Sequence, residues 1–284
     1  MTQIITCIDG SAASDAVRQY GVWAARRLTA PLTFLHVLDE RSYPVATDAS
    51  GNIGLGSREH LLEELAKLDH ERAKIALQHG EHMLEAAQQH ALAAGVEQVQ
   101  WRQRHGDLAE SVAALQADTR LIVLGLHGEQ TSEKPELLGT HIETVIRTAS
   151  KPVLLTALEY QEPTSVLFAF DGSETAQKGI AMVAQSPLFL GLPIHVVAVS
   201  SNPTQELQQQ LHAAAKVLAE AGHEVVTKVL AGEVEPTLHG YQAEAGLDML
   251  VMGAYGHSRL RQFLLGSTTT HMLRKSVTPV LVLR

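Results

Sequence analysis

The sequence predicts an α/β fold in two tandem copies, each built on a parallel sheet with helices on both faces, and three observations predict it. The first is an internal repeat: Ile4 to Ser11 (Ile-Ile-Thr-Cys-Ile-Asp-Gly-Ser) returns as Val166 to Ser173 (Val-Leu-Phe-Ala-Phe-Asp-Gly-Ser). Leu121 to Gly128 likewise returns as Leu250 to Gly256 with a one-residue adjustment, and Lys151-Pro-Val-Leu-Leu as Thr278-Pro-Val-Leu-Val. The second is the alternation, in each copy, of short apolar runs with helical patterns, the signature of strands joined by crossover helices. The third is size: 284 residues at 45% apolar composition supply a core to each of two domains. The copies meet near Glu159 to Thr164, which sets the domains at 1–158 and 164–284.

In chain order, the strands of the first copy are expected at Ile4 to Ile8, Leu32 to Leu38, Val99 to Arg104, Leu121 to Leu124 and Val153 to Thr156. Continuous runs such as Leu121-Ile-Val-Leu suit strands covered on both faces. After the first strand, Val17, Tyr20, Gly21, Ala24 and Leu28 recur at helical spacing and make one apolar stripe. Asp107-x-x-Glu110 and Thr140-x-x-Glu143 have the spacing of helix N-terminal boxes. Five strands and four helices per copy result. Landmark offsets of 162 and 128 put about 34 extra residues in the first copy, mostly between Asp39 and Arg72. This insertion mixes glycine and small polar residues with a leucine-bearing stretch from Glu59 to Leu68, a loop and an amphipathic helix that could cover a cleft or meet a partner. A long helix is expected between about Asp69 and Ala94 that carries His79, His82 and His90; His79 and His82 have a spacing compatible with one face, and the histidines are either metal ligands or surface residues of an amphipathic helix.

Charge and composition narrow the function. A net charge of −9, from 31 acidic and 22 basic residues, offers no positive field for nucleic acid or an anionic lipid surface. With no apolar run of about 18 residues and no signal-like start, a cytoplasmic protein is expected. The single cysteine, Cys7, lies in an apolar run and packs as a small hydrophobe.

Ligands of open parallel sheets bind beyond the carboxyl ends of strands, where strand order reverses. After the first strand of the second copy stands Asp171-Gly172-Ser173. After its fourth stands a stretch from Gly253 through Gly256 and on to Gly266-Ser267-Thr268. Gly253 and Gly256 let backbone approach a ligand, and Gly266-Ser267 opens a helix whose first N–H groups favour an anion. The other reading is that these glycines only make turns. The spacing is neither that of the P-loop nor that of the dinucleotide fingerprint.

The pattern Gly-two-Gly-nine-Gly-Ser, with an aspartate after strand one, resembles that of ATP-binding universal stress proteins. The resemblance spans nearly all of both halves. It implies tandem doubly wound sheets of strand order 3-2-1-4-5, as in adenine nucleotide alpha hydrolases, and ATP, with Mg, as the cofactor. By resemblance, Asp171 and Val199 lie near adenine and ribose, and Gly253, Gly256, Gly266 and Ser267 surround ribose and phosphates, with Thr268 following. Arg259 and Arg261 in the nine-residue loop are candidate phosphate contacts, or else part of a solvated loop.

The first copy departs from the pattern. Ten residues separate Gly128 from Gly139, and Glu129 to Glu136 carries three acids against one base. An anion is repelled there by about a kcal/mol per charge and attracted in the second copy. ATP is therefore expected in the C-terminal copy. His36, His105 and His127, at or just after strand ends of the first copy, form a candidate zinc set or merely the polar lining of a degenerate cleft.

Three functions stay in view: a nucleotide-dependent regulatory protein of the stress response, a slow ATPase with His257 as the nearby titratable group, and a metal or small-ligand module in the first copy. The terminal strands, Pro152 to Thr156 and Pro279 to Leu283, would be exposed edges unless paired, so the copies are expected to form an intramolecular pseudo-dimer, with a homodimer of whole chains as a further arrangement.

Overall fold

A computed structural model describes residues 2–38, 55–126, 140–254 and 266–284. The first half runs β1 (Gln3–Cys7), α1 (Ser14–Leu28), β2 (Leu32–Leu38), α2 (Leu55–Ala93), β3 (Val99–His105), α3 (Leu108–Ala113), β4 (Thr119–Gly125), α4 (Thr140–Thr148) and β5 (Val153–Thr156). The second repeats it as β6 (Val166–Ala169), α5 (Glu174–Gln185), β7 (Ile194–Val199), α6 (Gln205–Glu220), β8 (Val225–Leu230), α7 (Val234–Glu244), β9 (Met249–Gly253), α8 (Ser267–Lys275) and β10 (Val280–Leu283).

Local sequence accounts for these elements. The stripe Val17, Tyr20, Gly21, Ala24 and Leu28 on α1 is buried, as its spacing demands. Asp107 caps α3 by accepting from the N–H groups of Ala109 at 2.8 Å and Glu110 at 3.1 Å. α4 does begin at Thr140, whose side chain lies outside the described residues. One expectation needs correction: the leucine-bearing stretch and the later histidine-bearing helix are not separate, because α2 runs unbroken over 39 residues. The physical reason is that Ser57 to Ala94 contains no proline and a single glycine, Gly80, so nothing stops the helix. His79, His82 and His90 are exposed on it. The start of the insertion, 39–54, lies outside the described residues.

All ten strands form one sheet, in the order β3-β2-β1-β4-β5-β10-β9-β6-β7-β8. Each half therefore has the order 3-2-1-4-5, and pairing within each half is parallel. The join is antiparallel, alone among the ladders of the described residues: β5 pairs with β10, with Leu155 opposite Val280 and Val153 opposite Val282. Because side chains alternate across a strand, two apolar cores result, and each runs through both halves. Ile4, Phe34, Leu154, Phe168 and Leu281 lie on the α1/α5 side, whereas Ile5, Leu35, Leu155, Leu167 and Val282 lie on the other.

Polar contacts tie the halves further. Arg27 Nε donates to the Leu188 carbonyl at 3.1 Å, and its terminal nitrogen reaches the Leu190 carbonyl. Arg284 donates to the Ala149 carbonyl at 2.6 Å and also to that of Arg147, capping the negative end of α4. Asp248 receives the connecting segment, accepting from Thr164 N at 3.1 Å, Ser165 Oγ at 3.1 Å, Gln161 Nε2 at 3.3 Å and the Thr164 hydroxyl. Cys7 is buried, and burial, with Asp9 adding, pushes its thiol far up from the usual value. No helix among the described residues is long and apolar enough to cross a membrane.

Candidate functional site

In the second half the carboxyl ends of β6, β7 and β9 surround a cavity of about 420 Å³. It lies where the order turns from β6 to β9 on one side and to β7 on the other, the reversal at which such sheets open a crevice. Each wall has a local cause. Gly172, at φ +75°, makes the tight turn after β6 and leaves Asp171 at the rim. Asp171 Oδ1 accepts from Ser173 N at 3.0 Å, and Ser173 in turn caps α5 by accepting from Ala176 N at 3.2 Å. Val197 and Val199, two apart on β7, share one face and line the floor together with Met252, Leu238 and Met272.

The opposite wall is the start of α8. Its N-cap is Gly266, no side chain among the described residues caps it, and its first turn contains no acidic residue, so its leading N–H groups and positive dipole end can face an anion. Thr269, buried, donates to the Ala254 carbonyl at 3.0 Å and pins that turn to the end of β9. Packing among the described residues does not demand a glycine at 266: of these, an added Cβ would meet only Thr269 Oγ1, at an ordinary 3.6 Å. The cavity thus offers an apolar floor for a flat ring, a carboxylate at one rim for hydroxyl groups, and an uncapped helix start for an anionic tail. Those are the parts of a nucleotide.

Of the residues singled out in the sequence, Asp171, Val199, Gly253, Gly266, Ser267 and Thr268 line this one cavity. Gly256, Arg259 and Arg261, together with His257, lie outside the described residues. Sequence reasoning missed Val197, Met252, Leu238 and Met272; strand alternation from Val199 was a signal for the first of these, and nothing singled out the others among many core positions.

The first half differs at its corresponding edge. There Ser14 Oγ donates to Asp9 Oδ1 at 2.9 Å and accepts from Gly10 N at 2.9 Å; the repeat places Ala176, without a hydroxyl, at Ser14's position. His36 is turned to the α2 side of the sheet, its Nδ1 2.9 Å from the Ile8 carbonyl and its ring beside Gly80. His105 is exposed at the end of β3, and His127, Gly128 and Gly139 lie outside the described residues. Among the described residues no three His, Cys, Asp or Glu side chains group to hold a metal ion.

Comparison with known proteins adds to this geometry. The model of the Universal stress protein family matches residues 1–157 and again 163–284. The chain belongs to the universal stress protein family. It is 37% identical over 287 aligned positions to a universal stress protein of Synechocystis sp., all of both chains being covered. Among solved structures it is similar to a universal stress protein from Archaeoglobus fulgidus, with a TM-score of 0.66 at 19% identity over 99% of this chain and 95% of that one. A universal stress protein from Pseudomonas aeruginosa gives a TM-score of 0.63 at 18% identity, over 100% of this chain and 93% of the other. These likenesses establish the fold of two tandem universal stress protein domains in 3-2-1-4-5 order.

Proposed function

We propose that this universal stress protein is a cytoplasmic nucleotide-dependent regulator that binds ATP, with Mg, in its second domain. The observation that carries the reading is the cavity in which Asp171, the apolar floor at Val199 and the uncapped start of α8 at Gly266 converge. In this reading the adenine lies on Val197 and Val199, Asp171 takes ribose hydroxyls, and Ser267 and Thr268 with the N–H groups of the α8 start take phosphates. Gly256, Arg259 and Arg261 complete the phosphate side. The domains are taken as 1–158 and 164–284. The β5/β10 ladder supports treating them as an intramolecular pseudo-dimer, in which occupancy of one cavity is felt across a shared sheet.

Calorimetric titration of variants tests the assignment. Gly266→Lys should abolish ATP binding by intruding on the phosphates, whereas Gly125→Val, at the first domain's equivalent of Gly253, should leave it within about twofold. Replacing Arg259 and Arg261 by alanine should weaken ATP by about 1–3 kcal/mol and leave adenosine unchanged. Loss of binding through Gly125→Val alone would move the site to the first domain. Analysis of the nucleotide recovered after titration reports on the slow-ATPase alternative.

A further inference from the structure

The β5/β10 join generates a second kind of site, on the α1/α5 side of the sheet, where the repeat produces two equivalent grooves between the halves. One is filled by the connecting segment. Tyr160 packs edge-on against Tyr20, ring centroids 4.8 Å apart, and the Tyr20 hydroxyl donates to the Gln161 carbonyl at 3.1 Å and accepts from its N–H at 3.3 Å. The Gln161 side chain then donates to Asp248 at 3.3 Å. Repeat register carries Tyr20 onto Met182, and the strand pairings carry Asp248 onto Arg120.

Those two residues both line the other groove, a cavity of about 240 Å³ lined by Leu28, Arg120, Leu121, Met182, Leu188 and Phe189 among others. The segment connecting the halves lies in the first groove, and no described segment covers the apolar walls here. They are also preformed, since Arg27 holds the Leu188 and Leu190 carbonyls and so fixes the turn that carries Leu188 and Phe189. The guanidinium of Arg120 has no hydrogen-bond or ion-pair partner among the described residues.

We propose that this groove binds a small aromatic carboxylate, the ring against Leu121, Met182 and Phe189 and the carboxylate on Arg120. Size sets the first limit, because the cavity falls below the roughly 300–1,000 Å³ of drug-sized sites and admits a single ring with a short arm. Charge sets the second: where the filled groove has an acid that accepts from an amide, this one has a planar cation that pairs with a carboxylate through two parallel bonds. Methionine in place of tyrosine sets the third. A peptide laid here as the connecting segment lies in its own groove loses both bonds to a hydroxyl, while an aromatic ring gains a sulfur contact.

The probe is 3-phenylpropionate, titrated into the full chain carrying 13C-methyl methionine, with the neutral 3-phenylpropanol as control. Saturable binding is expected, with the Met182 methyl shifting and those of Met252 and Met272, in the nucleotide cavity, unmoved. The alcohol and the exposed-site variant Arg120→Gln should each bind about tenfold more weakly, and Arg120→Lys should fall between. ATP should not displace the acid. No binding up to the solubility limit, equal affinity for acid and alcohol, indifference to both Arg120 variants, or shifts confined to Met252 and Met272 would each overturn the proposal.

Discussion

His195 on β7 places Nδ1 2.8 Å from the Tyr241 hydroxyl on α7, and burial, with Lys228 adding and Glu224 opposing, holds its pKa below the ordinary histidine value. The unfolded chain, whose histidines titrate near 6.5, therefore takes up this proton first as the pH falls, so stability declines on acidification through that value and levels off below the folded-state pKa. His90, although mostly exposed, is lowered by partial desolvation and then by Arg18, against Asp15, and contributes a slope of the same sign. In His195→Gln, which keeps a polar partner for Tyr241 but does not titrate, urea midpoints measured between pH 7.5 and 5, values chosen to span roughly that range, should fall less steeply than in wild type. An identical slope would remove His195 from the account. At this scale much was legible in the sequence, as Asp171, Val199, Gly253 and Gly266 show by lining one cavity. The exchange of Ser14 for Ala176 was equally readable once the repeat was aligned, but its meaning depends on a hydroxyl lying 2.9 Å from Asp9, a distance that no spacing rule supplies.

Helix α2 shows how an element can exceed what its packing supports. Its 39 residues span about 58 Å at 1.5 Å per residue, whereas α6, its counterpart, has 16. Among its described residues the buried ones are Gly80, Leu84, Ala87 and Ala91, in the later part; from Lys67 to Ile75 the described side chains are exposed, Leu68 at 50% and Ile75 at 65%. Helix propensity and sequence-local pairs then have to hold the turns from 67 to 75, and these stabilise an isolated helix only marginally. Amide exchange should be faster by at least about tenfold in 64–75 than in 80–91. Equal protection along the helix would require a partner for its early turns. The same helix marks where sequence reading fell short: the leucine-bearing stretch from Glu59 and the histidine-bearing stretch from Asp69 each read as helical, but continuity is a property of the whole run and not of either segment.

For the whole molecule, the ten-stranded sheet makes the two halves a single folding unit. Its middle is the ladder of Val153, Leu154 and Leu155 on Val282, Leu281 and Val280, and both cores pass through it. The sequence pointed to this in the two apolar, proline-led terminal strands; their antiparallel sense and the asymmetric grooves beside them depend on how the connecting segment returns, which composition does not encode. Separated chains 1–160 and 163–284 would each expose that strand as an edge, so each should self-associate in analytical ultracentrifugation, while the intact chain melts in one transition. Two stable, monomeric halves would contradict a shared core. The central claim, one nucleotide site in the second domain, is tested most directly by calorimetric titration of the intact chain with ATP in the presence of Mg. The account predicts one ATP per chain, lost in Gly266→Lys; two equivalent sites, or binding that survives that substitution, would contradict it.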